Sequence, residues 1–460
     1  MKTLSVLFLF FFFTFFGSAQ ITFQRTYPDF GRYGCSVIQT IDGGYAVCGC
    51  RVYSSDPIFL MKTDVFGDSL WIKFYEGSIM GYDHAFHQTP DGGFIICGIR
   101  DQNILLIRTD IKGDTVWEKI LGAGYGNAVD ITPDDGFIIA AEKNLKSVLI
   151  KTDSLGTIQW SKTFSFPNTL GPGSYSTPTN LICSYDGNFY MTGHCHEDSI
   201  TTMFQDSYLL KTSFLGDSLW TKIYLSTPPF VSEINSLAQL PDNGFILAGV
   251  CWHGQFSITS YYGLLIRTNS MGEQLWKKLT YDSTSQFNSV ISNSSGDFFI
   301  TGGNYNEINF QESGILEHFK MNGDSSWIRH YKTTNNYLNS VSSCSDGGFI
   351  MCGYDYDNFG IFLVKTDSTG SANPYGIEEQ KYPDGISVFP NPTSGLISIK
   401  SEFKIDSYEL FSVTGISILK EGILNDRHLF TMDLGGIPSS IYFLKVFSEK
   451  GVIVKKIIRR

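Results

Sequence analysis

The sequence predicts an all-β protein: a seven-bladed β-propeller closed by its N-terminal strand, followed by a small immunoglobulin-like β-sandwich. Composition is the first indication, because 15% of the 460 residues are aromatic, 46 are glycine and only 17% are charged, as suits short strands and tight turns. The second is a set of motifs that recur at intervals of roughly 43 to 56 residues, a period typical of propellers. The third is residues 387–460, where these motifs stop but apolar residues still alternate.

Three motifs define the repeat. A DGGF-like turn begins at Asp42, Asp91, Asp134, Asp186, Asp242, Ser295 and Asp346. A KTD-like strand end begins at Lys62, Arg108, Lys151, Lys211, Arg267, Lys320 and Lys365. An aromatic strand carries Trp71, Trp117, Trp160, Trp220, Trp276 and Trp327. Seven copies of the first two motifs indicate seven units, each of four short strands. In the third unit we expect strands at about 127–132, 137–141, 147–152 and 159–164.

The seventh aromatic strand is found at the other end of the chain. The segment "ITFQRTY", Ile21 to Tyr27, matches "LWIKFY" with Phe23 in place of Trp. A linear array gains nothing by dividing one unit between its two ends, whereas a closed ring is joined by that pairing and keeps fewer open edges. The split unit therefore favours a propeller over residues 20–368, with an open β-solenoid array as the alternative.

The residues that recur at fixed positions of the repeat have a structural explanation. Glycine in the turns supplies positive φ, and the Asp of the KTD-like motif is expected to accept backbone hydrogen bonds. A Lys or Arg two residues after each aromatic residue is expected to discourage edge-to-edge pairing. The spacing of Asp64, Gly67 and Trp71 resembles the tryptophan-docked blades of quinoprotein dehydrogenases, and this resemblance implies packing rather than a cofactor. The repeat also resembles those of secreted Bacteroidota surface propellers.

The N-terminus predicts export. Lys2 precedes an apolar run from Leu4 to Phe16 and then small residues, so residues 1–19 are expected to be a signal peptide cleaved after Ala19. The alternative, a membrane anchor, is disfavoured by the shortness of the run. We expect no transmembrane segment in the mature chain. The net charge of −11 disfavours a nucleic-acid partner.

The nine cysteines form no Cys-x-x-Cys pair. Cys48, Cys97 and Cys352 each precede a glycine at the same repeat position, which predicts small buried core residues rather than a zinc or redox site. A disulfide between other cysteines, such as Cys195 and Cys251, is left open.

A linker over residues 369–386 separates the repeats from residues 387–460, for which alternating apolar segments predict a β-sandwich of about seven strands. Three blocks in this region carry a motif: Pro390, Asn391, Pro392 and Gly395; Ser412 to Gly415; and Asp433, Leu434, Ile437, Pro438, Ile441 and Tyr442. Their order resembles the type A C-terminal sorting domain of the type IX secretion system. Ser440 departs from the usual glycine before Ile-Tyr.

This resemblance implies export through the inner membrane by Sec and through the outer membrane by the type IX machinery, as a partner of the C-terminal domain. Such domains are commonly removed, and the cargo is released or attached to surface lipopolysaccharide. The expected location is outside a Gram-negative cell or on its surface. The alternative for this region is an immunoglobulin-like accessory module, and for its basic end a membrane-surface patch or, preferably, a solvated edge strand.

Candidate binding residues lie in the variable connections between strands, which we expect on the ring face opposite the repeated turns. One such loop carries His194 and His196, and another carries Trp252, His253, Tyr261 and Tyr262. His-x-His is a plausible start of a metal site, but solvated loop histidines are commoner and we expect no metal or cofactor. Exposed aromatic residues beside polar groups suit sugar or peptide binding, although padding between blades is an equal alternative.

No serine-nucleophile elbow, zinc-protease motif or phosphate loop occurs, so no catalytic residue is predicted. We therefore expect a secreted binding or adhesion module for a glycan or a protein. The alternatives are a polysaccharide hydrolase or lyase on the same scaffold, which would need a pair of carboxylates, and a structural component of the surface.

Overall fold

The computed structural model describes residues 20–28, 32–51, 57–79, 84–166, 175–184, 186–196, 205–226, 230–253, 261–280, 284–306, 311–331, 335–372, 386–412, 416–448 and 451–460. The predicted signal peptide and most of the predicted linker lie outside these residues. Every regular element in the described ranges is a β-strand. The chain divides into two compact units, Met1–Asn373 and Pro374–Arg460.

The first unit consists of four-stranded antiparallel sheets, called blades here, that follow one another along the chain. Strand β1, Phe23–Tyr27, precedes blade 1. Blade 1 has β2 (Arg32–Gln39), β3 (Tyr45–Arg51), β4 (Ile58–Thr63) and β5 (Ser69–Tyr75). Blade 2 has β6 (Phe86–Gln88), β7 (Phe94–Arg100), β8 (Asn103–Thr109) and β9 (Thr115–Ala123). Blade 3 has β10 (Tyr125–Ile131), β11 (Phe137–Lys143), β12 (Lys146–Thr152) and β13 (Ile158–Phe164).

The remaining blades continue this order. Blade 4 has β14 (Tyr175–Cys183), β15 (Phe189–His196), β16 (Gln205–Thr212) and β17 (Ser218–Tyr224). Blade 5 has β18 (Phe230–Gln239), β19 (Phe245–His253), β20 (Tyr261–Thr268) and β21 (Gln274–Leu279). Blade 6 has β22 (Thr284–Ser292), β23 (Phe298–Asn306), β24 (Gln311–Phe319) and β25 (Ser325–Tyr331). Blade 7 has β26 (Asn336–Ser343), β27 (Phe349–Asp355) and β28 (Gly360–Thr366).

Blade 7 is completed by β1, as the displaced aromatic strand predicts. Its sheet has the order β1-β28-β27-β26, with Phe23 opposite Lys365 and Tyr27 opposite Ile361. Strand β2 of blade 1 in turn contacts all three other strands of blade 7. The chain therefore closes into a ring of seven blades, and the predicted fold class is confirmed.

Burial shows how each blade is oriented in the ring. The third strand is almost wholly buried, as in β4 and β8, whereas the fourth strand is largely exposed, as in β5. The first strands of successive blades contact one another, for example β10 with β14 and β14 with β18. First strands are thus innermost and fourth strands outermost.

A buried ion pair explains why the turn and strand-end motifs recur together. In blade 3 the Lys151 ammonium lies 2.9 Å from the Asp134 carboxylate and also donates to the Thr152 carbonyl at 2.8 Å, although the Lys151 side chain is fully buried. The same pair joins Lys62 with Asp42, Arg108 with Asp91, Lys211 with Asp186, Arg267 with Asp242 and Lys365 with Asp346. A buried cation is tolerated only when such acceptors surround it. These pairs tie each blade's first turn to its third strand.

The second glycine of the DGG turn makes room for this pair. A Cβ on Gly44 would lie 2.6 Å from the Lys62 ammonium, and one on Gly136 would lie 2.5 Å from that of Lys151. The preceding glycine has a different role, since Gly43 has a φ of 82° in the left-handed region.

Blade 6 corrects one prediction from the sequence. Lys320 is not the strand-end base, because the residue opposite Trp327 is His318, whereas in blade 1 the residue opposite Trp71 is Lys62. His318 lies 3.3 Å from Asp297, which stands in place of the second glycine. In blade 6 an imidazole thus takes the place of the strand-end ammonium, and its acid partner is at the second glycine position rather than the first turn position.

The aromatic strand docks each blade on the next. A Cβ on Gly113 of blade 2 would lie 2.7 Å from the Trp71 indole of blade 1, so this glycine permits the contact. The basic residue two positions later crosses the same interface, as the 2.6 Å pair of Lys73 with Asp114 shows. These basic side chains therefore pair between blades, which is a more specific role than the predicted protection of an edge.

All nine cysteines are free thiols, and eight of them are buried. Cys195 and Cys251 lie in blades 4 and 5 and form no disulfide with each other. Cys48, Cys97 and Cys352 are fully buried, as predicted for core residues.

The second unit has five strands: β29 (Ile386–Phe389), β30 (Leu396–Ser412), β31 (Ser417–Asp433), β32 (Ser440–Ser448) and β33 (Gly451–Arg459). Strands β30 and β31 have 17 residues each, and their pairing register shifts near Ile405. The start of β30 pairs with β29 and the end of β31, while its second half pairs with the start of β31 and with β32.

Each long strand therefore serves two halves of a sandwich, which is why seven strands are expected and five are found. The two halves share one core: Ile399 and Phe430 from one half pack with Tyr408, Leu410 and Leu444 from the other. The Tyr408 and Phe430 rings stack with centroids 4.9 Å apart.

Candidate functional site

The ring has two different faces. The turns between the first and second strands and between the third and fourth strands lie on one side, here called the turn face. Because strands alternate in direction, the connections between second and third strands and between blades lie on the opposite side, the loop face. These connections vary in length, and the loop face therefore holds the candidate site.

A ring of hydrogen bonds fixes the innermost strands. The first strands of blades 1 and 3 to 7 each have a β-bulge, and in blades 3, 5, 6 and 7 the bulged residue is an asparagine. The side-chain amide of Asn235 donates to the Phe287 carbonyl of blade 6 at 2.9 Å, and that of Asn288 donates to the Leu338 carbonyl of blade 7 at 2.8 Å. The innermost strands are thus held rigidly, and so are the side chains that they carry.

This asparagine ring is absent from the sequence predictions. A signal was available, because "NSL" or "NSV" occurs at the same repeat position in blades 5, 6 and 7. It is weak, since other blades use Cys35 or Thr179 there. Thr179 nevertheless makes the equivalent bond, donating to the Ile234 carbonyl at 2.6 Å.

The residue two positions before each bulge lies at the loop-face end of its strand, and these residues are called rim residues here. They are Tyr33, Tyr125, Thr177, Glu233, Gln286 and Tyr337, and the blade 2 equivalent lies outside the described residues. The rim is asymmetric, with tyrosines on blades 7, 1 and 3 and polar side chains on blades 4, 5 and 6.

Four rim residues reach back to the preceding blade. The Tyr33 ring stacks on Tyr354 with centroids 4.1 Å apart. The Tyr337 hydroxyl donates to the Gln286 carboxamide oxygen at 2.8 Å. The Thr177 hydroxyl donates to Glu142 at 2.7 Å, and Glu233 lies 3.6 Å from His194. These four rim side chains are thus each positioned by a contact with the neighbouring blade.

Two of the predicted residues, His194 and His196, lie on the same side of β15 because they are two positions apart. Tyr175 is opposite His196 on the neighbouring β14, and their rings stack with centroids 5.1 Å apart and an angle of 9°. The His194 ring stands perpendicular to Tyr175 at 6.3 Å. Tyr175, His194 and His196 are called the histidine cluster here.

His194 is a neutral, buried imidazole. Burial, and secondarily His196, lowers the pKa of His194 to about 4, so the ring carries no charge at neutral pH. Its Nδ1 atom is buried without a hydrogen-bond partner, and the 3.6 Å to Glu233 exceeds a hydrogen bond. Contact with the Glu233 carboxylate is therefore not a true ion pair. A buried unsatisfied nitrogen is costly, so this imidazole reduces the stability of the fold.

Two carboxylates act on the same tyrosine. Burial raises the pKa of Tyr175, and Glu233 and Glu142 raise it further. The phenol is therefore held in its protonated form, in which it can donate a hydrogen bond. Among the described residues, no group of three or more His, Cys, Asp or Glu side chains converges as a metal site would require.

The second predicted group lies on blade 5. Trp252 and Tyr261 face each other across β19 and β20, with ring centroids 6.3 Å apart, and both are half-buried. Tyr262 packs against the core between blades 4 and 5. Its ring therefore fills the blade interface, which is the alternative to ligand binding given for these aromatic residues. The backbone of His253 pairs with Phe230, and its side chain lies outside the described residues.

A third aromatic group on the loop face is missing from the sequence predictions. Tyr33, Tyr354 and Tyr356 form an aromatic cluster at the junction of blades 7 and 1. Tyr356 is 38% exposed, and the nearby Phe359 is 68% exposed. Only ring closure brings Tyr33 to Tyr354, since more than 300 residues separate them in sequence.

In the second unit the motif residues hold the last strand. Asn391 bonds twice to β33: its amide donates to the Lys456 carbonyl at 2.6 Å, and its oxygen accepts from the Ile458 amide at 2.8 Å. Thr393 also pairs with Ile458 and Arg460. Pro390 and Pro392 flank Asn391, and both follow cis peptide bonds.

The other motif residues meet at the same place. The Leu434 amide donates to the Gly395 carbonyl at 3.0 Å, and the Leu434 carbonyl accepts from the Arg459 guanidinium at 3.1 Å. Asp433 accepts the Gly435 amide at 2.8 Å, and the Tyr442 hydroxyl donates to Pro438 at 2.8 Å. Gly415 lies outside the described residues. The opening and closing blocks thus converge on the basic C-terminal end.

Comparison with known families agrees with this region. Residues 387–460 match the family described as the secretion system C-terminal sorting domain. This sorting domain indicates that the protein is a type IX secretion cargo, secreted or held at the cell surface. The comparison with curated protein sequences gave no match. No helix long and apolar enough to cross a membrane occurs in the part of the chain that the structure describes.

Similarity to solved structures concerns the fold. The structure of U3-55K is 7% identical, with a TM-score of 0.51, over 75% of this chain and 98% of that chain. The Dos1 propeller is 12% identical, with a TM-score of 0.46, over 75% and 95%. The extracellular domain of the putative one component system BT4673 from B. thetaiotaomicron is 10% identical, with a TM-score of 0.44. That match covers 95% of this chain and only 58% of the BT4673 chain.

Proposed function

We propose that this exported propeller is a binding or adhesion module, and that the inner rim of its loop face binds a carbohydrate. The observation that carries the proposal is the histidine cluster, in which the half-buried Tyr175 and His196 rings stack beside the neutral His194 imidazole and the Glu233 carboxylate. A neutral imidazole and a carboxylate suit hydroxyl groups, which both donate and accept hydrogen bonds.

The aromatic rings of the loop face supply the other half of sugar recognition. A pyranose has an apolar face that packs on an aromatic ring and a polar edge that needs hydrogen bonds. Tyr175 and His196 lie beside His194, and Tyr33 and Tyr356 lie at blades 1 and 7. Tyr175 and Tyr33 lie on the innermost strands β14 and β2, and contacts with neighbouring rings hold the others, which lowers the entropy lost on binding.

A polysaccharide hydrolase or lyase is the second candidate function. The Glu142 and Glu233 carboxylates both raise the pKa of Tyr175, so both lie in the neighbourhood of this phenol. Glycosidases use such a pair as acid and base or nucleophile. This version requires turnover, and it requires that Glu142→Gln or Glu233→Gln abolishes that turnover while sugar binding remains.

Screening the mature chain, residues 20–460, on glycan and peptide arrays tests the proposal. We expect a glycan signal that Glu233→Gln and His194→Ala each weaken about tenfold, the equivalent of one or two hydrogen bonds. Asp114→Asn, an exposed change on the turn face, is the matched control and should bind as the native chain does. A peptide signal with silent glycans would instead identify a protein ligand.

A further inference from the structure

A cavity of about 380 Å³ opens on the turn face between blades 2 and 3. Its lining includes Arg108, Trp117, Phe137 and Ser154, with Asp91 and Asp135 at the charged end. The cavity is remote from the loop-face site, because it lies beside the repeated turns. At three of the six other blade interfaces an aromatic ring occupies this position. The remaining three have aliphatic residues there: Ala46 and Ile111, Ile246 and Met321, and Ile350 and Val65.

At the interface of blades 3 and 4 a phenylalanine occupies this position. Phe214 corresponds to Ser154, since each precedes by two residues the glycine that faces a docked indole, Gly216 and Gly156 respectively. The Phe214 ring packs on Phe189 with centroids 5.6 Å apart, and the Lys151 ammonium lies 5.5 Å from its centroid.

Two further interfaces receive a ring from the opposite side. Between blades 4 and 5, Tyr190 packs on Phe245 at 4.5 Å, with the Lys211 ammonium 5.0 Å from its ring. Between blades 6 and 7, Phe299 packs on Phe349 at 4.4 Å and stacks on His318 at 4.7 Å.

Three interfaces thus place an aromatic ring against the strand-end base. Between blades 2 and 3 neither side supplies one, because Ser154 stands in place of Phe214, and Ile95 stands in place of Tyr190. The base itself, Arg108, is present and lines the cavity. A cavity walled by Trp117 and Phe137 beside a guanidinium is therefore complementary to an aromatic ring.

The charge around the cavity favours a cation next to that ring. Arg108 is paired with Asp91, whose side chain is 68% exposed. Asp135 adds a second exposed carboxylate, so acids outnumber bases by one in the lining. An ammonium or guanidinium group near the opening would be attracted by this excess.

We propose that this cavity binds the aromatic side chain of a peptide segment in which a Lys or Arg is adjacent to the aromatic residue. A peptide is the occupant because the rings at three other interfaces are themselves side chains carried on a polypeptide backbone, from either side of the interface. The volume exceeds that of one phenyl ring and leaves room for the stem of the neighbouring basic residue.

Titration of the mature chain with N-acetyl-Lys-Phe-amide and N-acetyl-Glu-Phe-amide in a calorimeter tests this proposal. We expect the lysine peptide to bind at one saturable site. The affinity of the glutamate peptide should be lower by a factor of about ten or more. Ser154→Phe should fill the cavity, abolish peptide binding and raise the melting temperature. Asp135→Asn should reduce the difference in affinity between the lysine peptide and the glutamate peptide, because it removes one negative charge from the cavity lining.

Phe214→Ser is the reciprocal variant, because it should open an equivalent cavity between blades 3 and 4 and increase the stoichiometry from one site to two. This variant keeps the proposal testable if Ser154→Phe fails to fold. Absence of saturable binding to the native chain would overturn the proposal, as would binding that survives in a folded Ser154→Phe variant.

Discussion

At the scale of single residues, the repeat is maintained by pairs that change together within one molecule. A lysine or arginine occurs where the turn has a glycine or a small polar residue, and the shorter His318 occurs where Asp297 fills the turn. Such covariation between blades indicates that the motif is a packing unit. Its repetition with a similar geometry in six of the seven blades favours a structural role for the motif.

Converting blade 6 to the blade 1 pattern tests this coupling. His318→Lys alone should destabilise the protein by about 1–3 kcal/mol, because it removes the imidazole that packs on Phe299 and Trp327. Adding Ser295→Asp and Asp297→Gly should recover most of that loss, since the acceptor and the space are then restored. Urea denaturation measures the unfolding free energies of the single and the triple variant. A triple variant no more stable than His318→Lys would contradict the coupling.

The lowered pKa of His194 predicts how stability depends on pH. The folded state holds His194 neutral down to about pH 4, whereas an unfolded chain protonates it near 6.5, so the unfolded state binds more protons between these values. Stability from this group should be complete above pH 6.5 and fall by as much as about 3 kcal/mol as pH falls to 4.

Urea denaturation between pH 4 and 7 measures this effect. His194→Gln should flatten the pH dependence, whereas His330→Gln, a change at an exposed histidine, should leave it unchanged. An equal slope in the native and His194→Gln proteins would contradict the assignment of this titration to His194.

Single residues were also the least predictable level of the structure. The sequence predicts Lys320 as the seventh strand-end base because it is a lysine close to the expected position. Strand register decides which residue is opposite Trp327, and that residue is His318. His194 and His196 were predicted because they are close in sequence. Glu233, Glu142 and Tyr33 were not, because their partners lie on other blades and become neighbours only when the ring closes.

At the scale of elements, ring closure depends on β1. The Phe23 side chain is 8% exposed and packs against Tyr45 with ring centroids 5.8 Å apart. A Cβ on Gly67 would lie 2.7 Å from this ring, so Phe23 occupies the position that tryptophan has elsewhere. Closure was predictable because a strand repeat displaced to the other terminus has a simple geometric meaning.

Phe23→Ala should therefore destabilise the propeller by about 3 kcal/mol or more, in the range for a buried phenylalanine. Phe23→Trp is the matched control and should be tolerated, since the same glycine receives an indole in other blades. Limited proteolysis near residues 20–27 and the melting temperature both report the effect. Equal stability of the alanine variant and the native protein would show that β1 is dispensable.

In the sorting domain, Asn391 fastens the last strand to the opening motif. Asn391→Ala should cost about 1–2 kcal/mol and accelerate hydrogen exchange at residues 456–460, because two hydrogen bonds are lost. Ser394→Ala, an exposed change in the same loop, should have little effect. Unchanged exchange in Asn391→Ala would mean that the motif acts without holding β33.

At the scale of the whole molecule, the chain combines a ring with a separate sorting unit. The sequence predicted both, because the repeat count and the motif blocks are properties of long segments rather than of single residues. What the sequence left open, the ligand, depends on side chains brought together from different blades.

Removing residues 387–460 should separate export from binding. We expect the shortened chain to be retained inside the cell envelope, because the sorting domain is absent, while its ligand affinity remains within about twofold of the native value. Cell fractionation and titration measure these two properties. Efficient release of the shortened chain would show that export does not require the sorting domain.

Hydrogen exchange of the mature chain, with and without the ligand identified on the arrays, tests whether the loop face binds that ligand. The loop-face site predicts protection at the loop-face ends of β14, β15 and β18, around Tyr175, His194 and Glu233. The turns that begin at Asp42, Asp64 and their counterparts should be unaffected. Protection confined to those turns would contradict the assignment of ligand binding to the loop face.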